Sequence, residues 1–419
     1  MLPKINLVVV GHKDHGKSTL IGRLLYDSKA INEQKLQEVR TELEKSGHKD
    51  FEFAFLLDSL EEERQGGLTI DIMHMPFKSK KYFYTIIDCP GHKEFIKKMF
   101  TGASQADAAV LVVSAKEGIE DQTKQHAFLI KTMGINQLVV AVNKMDEANY
   151  GEAKFRQLWE RLEPILNSLG YVNSPVVPLS ALRGENVFSK SEKMLWYKGS
   201  SLIETLDDNV TPLAAPVNKP FRACVQDIYE IDGTKMIMSK ILTGSLEKGK
   251  IVNFDPSEEK GIVEKIEMYG RDVEKASPGD SVGLILNGLH EAKRGQVISY
   301  PQNRAKVVEN FVGELILFSD IELRKNGLLK IRCGTAENNC RVQEILERID
   351  PVNLTVDAKF PEVLASGDIG KILLSPLEPM CMEKFSEFPE LGRFVVEGTR
   401  GTTAAGIVLE IGNRGGEQA

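Results

Sequence analysis

The 419-residue sequence predicts an α/β domain with a mostly parallel, doubly wound sheet, followed by two all-β barrel domains. Residues 1–208 alternate apolar, strand-like runs with amphipathic helical stretches, and residues 209–219 have the proline-containing composition of a linker. Beyond the linker, short strand-like runs are separated by glycine turns. We therefore expect the α/β domain at 1–208 and the barrels at 220–301 and 302–419.

The elements of the α/β domain follow from the spacing of its apolar residues. Predominantly apolar runs are typical of strands covered on both faces, and they occur at 5–10, 86–87, 138–142 and 176–179. Helical spacing predicts helices at 19–26, 121–133, 152–169 and 201–206. In the second barrel we expect strands near 307–317, 328–333, 339–346 and 403–411.

Composition narrows the class of protein. With 42% hydrophobic and 27% charged residues, the chain is expected to be an ordinary globular protein, and no apolar run is long enough for a membrane span. The chain enters a strand directly from its N-terminus, which argues against a signal peptide. Five cysteines without a C-x-x-C pair favour a reducing, cytoplasmic location. A net charge of −7 disfavours a broad nucleic-acid surface but permits a localised basic site.

The segment after the first strand has the pattern G-x-x-x-x-G-K-S, which is the phosphate-binding P-loop. Glycines let the backbone N–H groups turn inward towards phosphate oxygens, and the following helix adds its positive end. Lys17 is expected to reach the β- and γ-phosphates and Ser18 to bind Mg²⁺. The residues that we expect to bind nucleotide here are Lys13, Asp14, His15, Gly16, Lys17, Ser18 and Thr19.

Two further strands end in motifs that complete a nucleotide site. The strand at 86–87 leads into D-x-x-G, where Asp88 would hold Mg²⁺ through a water and the Gly91 N–H would touch the γ-phosphate. The strand at 138–142 leads into N-K-x-D, formed by Asn143, Lys144 and Asp146.

The N-K-x-D motif predicts the choice of base. The Asp146 carboxylate can accept both N1–H and the exocyclic amine of guanine, whereas adenine would leave it unpaired. The turn Ser180, Ala181 and Leu182 would back the base. The sequence therefore predicts a site for GTP and GDP.

The order GHKDHGKST, LTID, DCPGH and NKMD, followed by two barrels, resembles the translational GTPase superfamily of elongation factors Tu and 1-alpha. This resemblance implies a GTP-hydrolysing switch that uses Mg²⁺. By the same resemblance, Thr69 joins Ser18 as a metal ligand in the triphosphate state, and His92 orients the attacking water. Two residues depart from the family pattern: Lys13 stands where valine is usual, and Gly66 where a charged residue is common.

Within the superfamily, we expect the closest likeness to be the GTPase subunit of ATP sulfurylase (sulfate adenylyltransferase subunit 1). The segments 232–242 and 397–408 resemble that subunit, and the insertion that elongation factor 1-alpha carries before its Q-T-x-x-H segment is absent. The implied partner is then an adenylyl-transferring sulfurylase subunit.

The alternative is an elongation factor 1-alpha-like translation or ribosome-rescue GTPase, with the ribosome and tRNA, or a tRNA-mimicking protein, as partners. Segments 379–385 and 136–142 favour this second interpretation. A GTP-dependent assembly switch without either role remains a third. None of the three involves a membrane.

Overall fold

The computed structural model describes residues 2–45, 53, 55–57, 73–88, 106–231, 233–317, 321–350, 355–399 and 401–413. The chain divides into two compact units, residues 1–213 and 214–419. Among the described residues, no helix combines the length and the apolar character needed to cross a membrane.

The first unit contains a six-stranded sheet in the order β2-β3-β1-β4-β5-β6. Only β2 runs antiparallel to its neighbour; the pairs β3–β1, β1–β4, β4–β5 and β5–β6 are parallel. Every residue of β4 is buried, as expected for a central strand covered on both faces. The strands are β1 (Lys4–Gly11), β2 (Met73–Lys78), β3 (Phe83–Asp88), β4 (Ala108–Ser114), β5 (Gln137–Asn143) and β6 (Val176–Pro178).

The described helices of this unit are amphipathic, and each presents apolar residues to a core. Their bounds are α1 (Lys17–Asp27), α2 (Glu33–Lys45), α3 (Asp121–Thr132), α4 (Glu152–Ser168) and α5 (Leu202–Asn209). A reciprocal capping box starts α5, because the Ser201 hydroxyl accepts from the Glu204 N–H while the Glu204 carboxylate accepts from the Ser201 N–H. Because the parallel strands all end at one edge of the sheet, the loops that follow β1, β5 and β6 meet there.

The second unit consists of two closed six-stranded barrels, which confirms the predicted fold class. The first barrel has the order β10-β15-β7-β8-β14-β11 and closes through the β10–β11 pair. Its strands and small appended pairs are β7 (Arg222–Ile231), β8 (Thr234–Thr243), β9 (Leu246–Glu247), β10 (Ile251–Asp255), β11 (Glu259–Met268), β12 (Arg271–Val273), β13 (Lys275–Ala276), β14 (Ser281–Asn287) and β15 (Val297–Ser299).

The second barrel has the order β18-β24-β25-β16-β22-β19 and closes through the β18–β19 pair. Buried apolar residues, among them Phe311, Ile372 and Phe394, fill its interior. Its elements are β16 (Val307–Leu317), β17 (Leu323–Arg324), β18 (Leu328–Cys333), β19 (Ala336–Ile349), β20 (Val356–Lys359), β21 (Val363–Leu364), β22 (Ile369–Pro376), β23 (Met380–Cys381), β24 (Arg393–Gly398) and β25 (Gly401–Asn413).

A buried ion pair joins the two barrels. Arg222 at the start of β7 donates to the Glu383 carboxylate from Nε at 3.1 Å and from Nη2 at 2.9 Å, and both side chains are almost fully buried. The guanidinium also donates to the main-chain oxygens of Asn303 and Arg304 in the segment between the barrels. Arg222 is thus satisfied only when both barrels and their connection are in place.

Replacing Glu383 with glutamine is expected to lower the free energy of unfolding of the barrel unit by about 3 kcal/mol, because the Arg222 charge would remain buried without its counter-ion. Urea unfolding followed by far-UV circular dichroism measures this. The matched control is Glu322→Gln in the exposed Glu322–Arg324 pair, which should unfold like the parent chain. A Glu383→Gln variant as stable as this control would contradict the prediction.

Candidate nucleotide-binding site

The loop between β1 and α1 is a turn that requires glycine at two positions. Gly11 has φ +148° and Gly16 has φ +85°, so any other residue would be strained there. At Gly16 there is also no room, since an added Cβ would lie 2.5 Å from Nδ2 of Asn143. The conformation expected of a phosphate-binding loop is therefore present.

The first turn of α1 follows directly on this loop, and the first N–H groups of a helix have no hydrogen-bond partner within the helix itself. Gly16 is the N-cap, and among the described residues no side chain caps the helix. Lys17 folds back across the loop, where its Nζ donates to the main-chain oxygens of Gly11 at 2.9 Å and His12 at 2.8 Å. The ammonium and the helix end together create a positive environment suited to an anion.

The other predicted loop residues differ in exposure. Lys13, Asp14 and Ser18 are exposed, whereas Thr19 is half-buried. His15 is fully buried beneath the loop, with Nδ1 lying 3.3 Å from the Val112 carbonyl oxygen. Burial lowers the pKa of His15 below its usual value, so the ring is neutral at neutral pH. The His15 side chain therefore faces the sheet, and only its backbone remains to line the loop.

The N-K-x-D turn after β5 is joined to the P-loop through Asn143. Its Nδ2 donates to the His15 carbonyl oxygen at 2.9 Å, while its Oδ1 accepts from the Ala181 N–H at 2.9 Å. The side chain is buried, and Nδ2 makes a further, longer contact of 3.5 Å with the Gly16 carbonyl oxygen, so all of these contacts are with protein backbone. Asn143 thus ties together the phosphate loop, the N-K-x-D turn and the S-A-L turn.

Lys144 and Asp146 extend from this turn. Lys144 has a positive φ of 58°, and Asp146 is half-buried. Within the described part of the chain, no hydrogen bond to the Asp146 carboxylate is found, which leaves it available to a ligand. In the S-A-L turn, Ser180 and Ala181 are buried, whereas Leu182 is 44% exposed and can cover one side of a bound base.

Two residues outside the predicted nucleotide motifs contact this site. His126 on α3 is buried, and its Nδ1 accepts from the Gly11 N–H at 3.2 Å. Glu117, in the turn after β4, lies against both Lys144 and His15. The sequence carries only a weak signal for either residue. His126 is a single histidine on an amphipathic helix, and Glu117 is one of many acidic residues at the surface.

Four predicted residues are not tested by the geometry. Thr69, Gly91 and His92 lie outside the described residues, as does the side chain of Asp88, although its backbone ends β3. Of the expected Mg²⁺ ligands, the structure describes the exposed Ser18 hydroxyl at the second position of α1. An oxygen donor at that place suits a hard cation held beside phosphates.

The fold and the site define a P-loop nucleotide-binding domain that is followed by two barrels. The family described as "Elongation factor Tu GTP binding domain" matches residues 2–212. "Elongation factor Tu domain 2" matches residues 235–299, and "GTP-eEF1A C-terminal domain-like" matches residues 310–409. The chain belongs to the elongation factor Tu and 1-alpha family of GTP-binding translational GTPases.

Curated relatives match along almost the whole chain. Elongation factor 1-alpha of Methanospirillum hungatei is 41% identical over 98% of this chain and 97% of the relative. Those of Saccharolobus solfataricus and Pyrococcus furiosus are also 41% identical, each over 98% of this chain and over 97% and 98% of the relative, respectively. A solved structure of sup35 complexed with GDP has 25% identity and a TM-score of 0.46, and covers 99% of this chain and 95% of that chain.

These comparisons bear on the two interpretations from the sequence. The superfamily assignment is confirmed, and the named relatives favour the elongation factor 1-alpha alternative over the sulfurylase GTPase subunit, for which they give no support. The two short segments that suggested the sulfurylase subunit, 232–242 and 397–408, contain 11 and 12 residues, whereas the similarity to the elongation factors extends over nearly all of the chain.

Proposed function

We propose that this chain is a GTP-hydrolysing switch of the elongation factor 1-alpha type, which acts on the ribosome and binds tRNA or a tRNA-like protein in its GTP state. The observation that carries the proposal is the Asn143 contact, which fixes a base-reading turn against a phosphate loop. The similarity to elongation factor 1-alpha, which is 41% identical over 98% of this chain, supports the translational role.

In this proposal, each part of the nucleotide meets a different group. The N–H groups at the start of α1 and the Lys17 ammonium hold the β- and γ-phosphates. Asp146 accepts the N1–H and the amine of guanine, while the Lys144 stem and Leu182 cover the base from its sides. His92 is the proposed catalytic residue, which orients the attacking water.

Mg²⁺ fits the same arrangement. Ser18 and Thr69 are the proposed protein ligands, and Asp88 would act through a water. The bound ion would supply neutralisation of phosphate charge. When the γ-phosphate is lost, contacts to Lys17, Gly91 and Thr69 are lost with it. A nucleotide can drive the switch only through such contacts, because it shifts a conformational balance by its differential affinity for the two states.

The experiment that tests this function is protection of aminoacyl-tRNA. The purified full-length chain, loaded with GTP or with GDP, is incubated with aminoacyl-tRNA, and deacylation is followed over time. We expect slower deacylation with GTP than with GDP. Equal deacylation in both states, together with co-purification of an adenylyl-transferring subunit, would instead support the sulfurylase interpretation.

Replacing Lys13 with valine is expected to slow GTP hydrolysis about tenfold, because the exposed ammonium beside the phosphate loop stabilises developing negative charge. Single-turnover hydrolysis of GTP, with and without ribosomes, measures the effect. The matched control is Lys154→Val on α4, which should hydrolyse GTP like the parent chain. If Lys13→Val leaves both the basal and the stimulated rate unchanged, the residue has no part in hydrolysis.

A further inference from the structure

Glu117 is held in a fixed position beside the candidate site. It lies in the turn between β4 and α3, where the Gly118 N–H donates to the Ser114 carbonyl oxygen at 2.9 Å. The Ser114 hydroxyl oxygen accepts from the Glu117 N–H at 3.2 Å. These hydrogen bonds to the buried end of β4 therefore fix the position of the Glu117 backbone.

The two oxygens of the Glu117 carboxylate face two different motifs. Oε1 accepts from Lys144 Nζ at 3.1 Å, and Oε2 lies 3.8 Å from Nε2 of His15. Lys144 belongs to the base-reading turn, and His15 to the phosphate loop. Among the described residues, the Glu147 carboxylate also lies near Lys144, but at 3.9 Å from Nζ it is too far for a hydrogen bond.

The charges at this contact are well defined. Burial acts to raise the pKa of Glu117, but hydrogen bonds from Ser114 and Lys144 and the nearby positive charge bring it below its usual value. Glu117 is therefore ionised at neutral pH. Since His15 is neutral, the positive partner of Glu117 is the Lys144 ammonium, and the Lys144 side chain as a whole is only 22% exposed.

The Lys144 side chain needs such a partner. The turn fixes the Lys144 backbone. The ammonium, however, is joined to that backbone by four carbons with rotatable bonds, so without a partner the side chain would move freely in water. We propose that Glu117 is a positioning residue that holds the Lys144 stem across the guanine base and thereby slows nucleotide release. The inference rests on the proposed function. It identifies Glu117 as the residue that holds the Lys144 side chain in place over the base.

Release of a fluorescent GDP analogue from the full-length chain tests this inference. Glu117→Gln keeps the shape of the side chain and removes its charge, so the dissociation rates of GDP and GTP should both rise about tenfold. The preference for GDP over IDP should not change, because Asp146 reads the exocyclic amine that inosine lacks. Glu147→Gln is the matched control and should release GDP within twofold of the parent rate.

A double-mutant cycle shows whether Glu117 acts through Lys144. Lys144→Met keeps most of the stem and removes the ammonium, and adding Glu117→Gln in that background should leave the dissociation rate unchanged. Dissociation is measured only on molecules that have bound nucleotide, so partial misfolding does not alter the rate. If Glu117→Gln fails to fold, Glu117→Asp should release GDP at a rate between those of the parent chain and Lys144→Met.

Two results would overturn the inference: an unchanged rate in Glu117→Gln, or the same acceleration with methionine at position 144 as with lysine. A parent chain that binds no GDP would instead refute the proposed function, and this failure is separate because no variant would then give a rate.

Discussion

Asp146→Asn is expected to lose GTP and to gain xanthosine triphosphate, with a change in relative affinity of about 10⁴-fold. The half-buried carboxylate can accept two N–H groups of guanine, whereas asparagine offers one acceptor and one donor. That amide pairs with xanthine, which has an N1–H and an oxygen where guanine has its amine. The substitution therefore leaves guanine with an unmatched donor and gives xanthine a complete partner.

Competition binding with GDP and XDP, each against a fluorescent analogue of the other, measures this exchange. The control is Asp121→Asn, the same chemical change at an exposed carboxylate in the first turn of α3, which should retain the parent preference. An Asp146→Asn variant whose GDP affinity in this assay is unchanged would refute the assignment of the base-reading residue.

Asn143→Ala is expected to weaken GDP binding about 100-fold. Asn143 makes two buried hydrogen bonds, to the His15 carbonyl oxygen and from the Ala181 N–H, and alanine would leave both backbone groups without these partners. Each unsatisfied buried group costs about 1–3 kcal/mol, and about 3 kcal/mol in total corresponds to a factor of about 100 in affinity. We expect the loss to weaken nucleotide binding, because these contacts align the phosphate loop with the base-reading turn.

Equilibrium titration with GDP measures the loss, and a thermal melt by circular dichroism checks that the variant is folded. Asn136→Ala, at the opposite end of the same strand region, removes an exposed asparagine that contacts Lys131, and should bind GDP normally. An Asn143→Ala variant whose affinity stays within threefold of the parent would show that alignment of the two loops does not depend on this side chain.

Much of the fold could be predicted from sequence because its signals are local. The apolar runs at 5–10 and 138–142 became β1 and β5, and the helical spacing at 121–133 became α3 to within a residue. The second-barrel strands expected near 307–317 and 328–333 lie at Val307–Leu317 and Leu328–Cys333. In each case, the spacing of apolar residues over a short segment reports which faces are buried: an apolar run indicates a strand covered on both faces, and helical spacing indicates a helix with one buried face.

The assignment within the superfamily could not be predicted in the same way. The residues at 232–242 and 397–408 suggested the sulfurylase subunit, but such segments in β-barrels carry few residues with a defined chemical role. The three nucleotide motifs fix the class of site, since each residue type is needed for its chemistry. They do not distinguish members that share the same site and differ in partner.

The sequence by itself predicted a phosphate loop, a base-reading motif and two barrel-forming regions, because each depends on residue types at fixed short spacing. Only the tertiary structure decided that Asn143 joins residues 128 positions away, that His126 accepts from Gly11 across 115 positions, and that Arg222 meets Glu383 across 161. These contacts form because sheet pairing and barrel closure bring distant segments together, and no local pattern encodes which distant side chain then fills a given hydrogen bond.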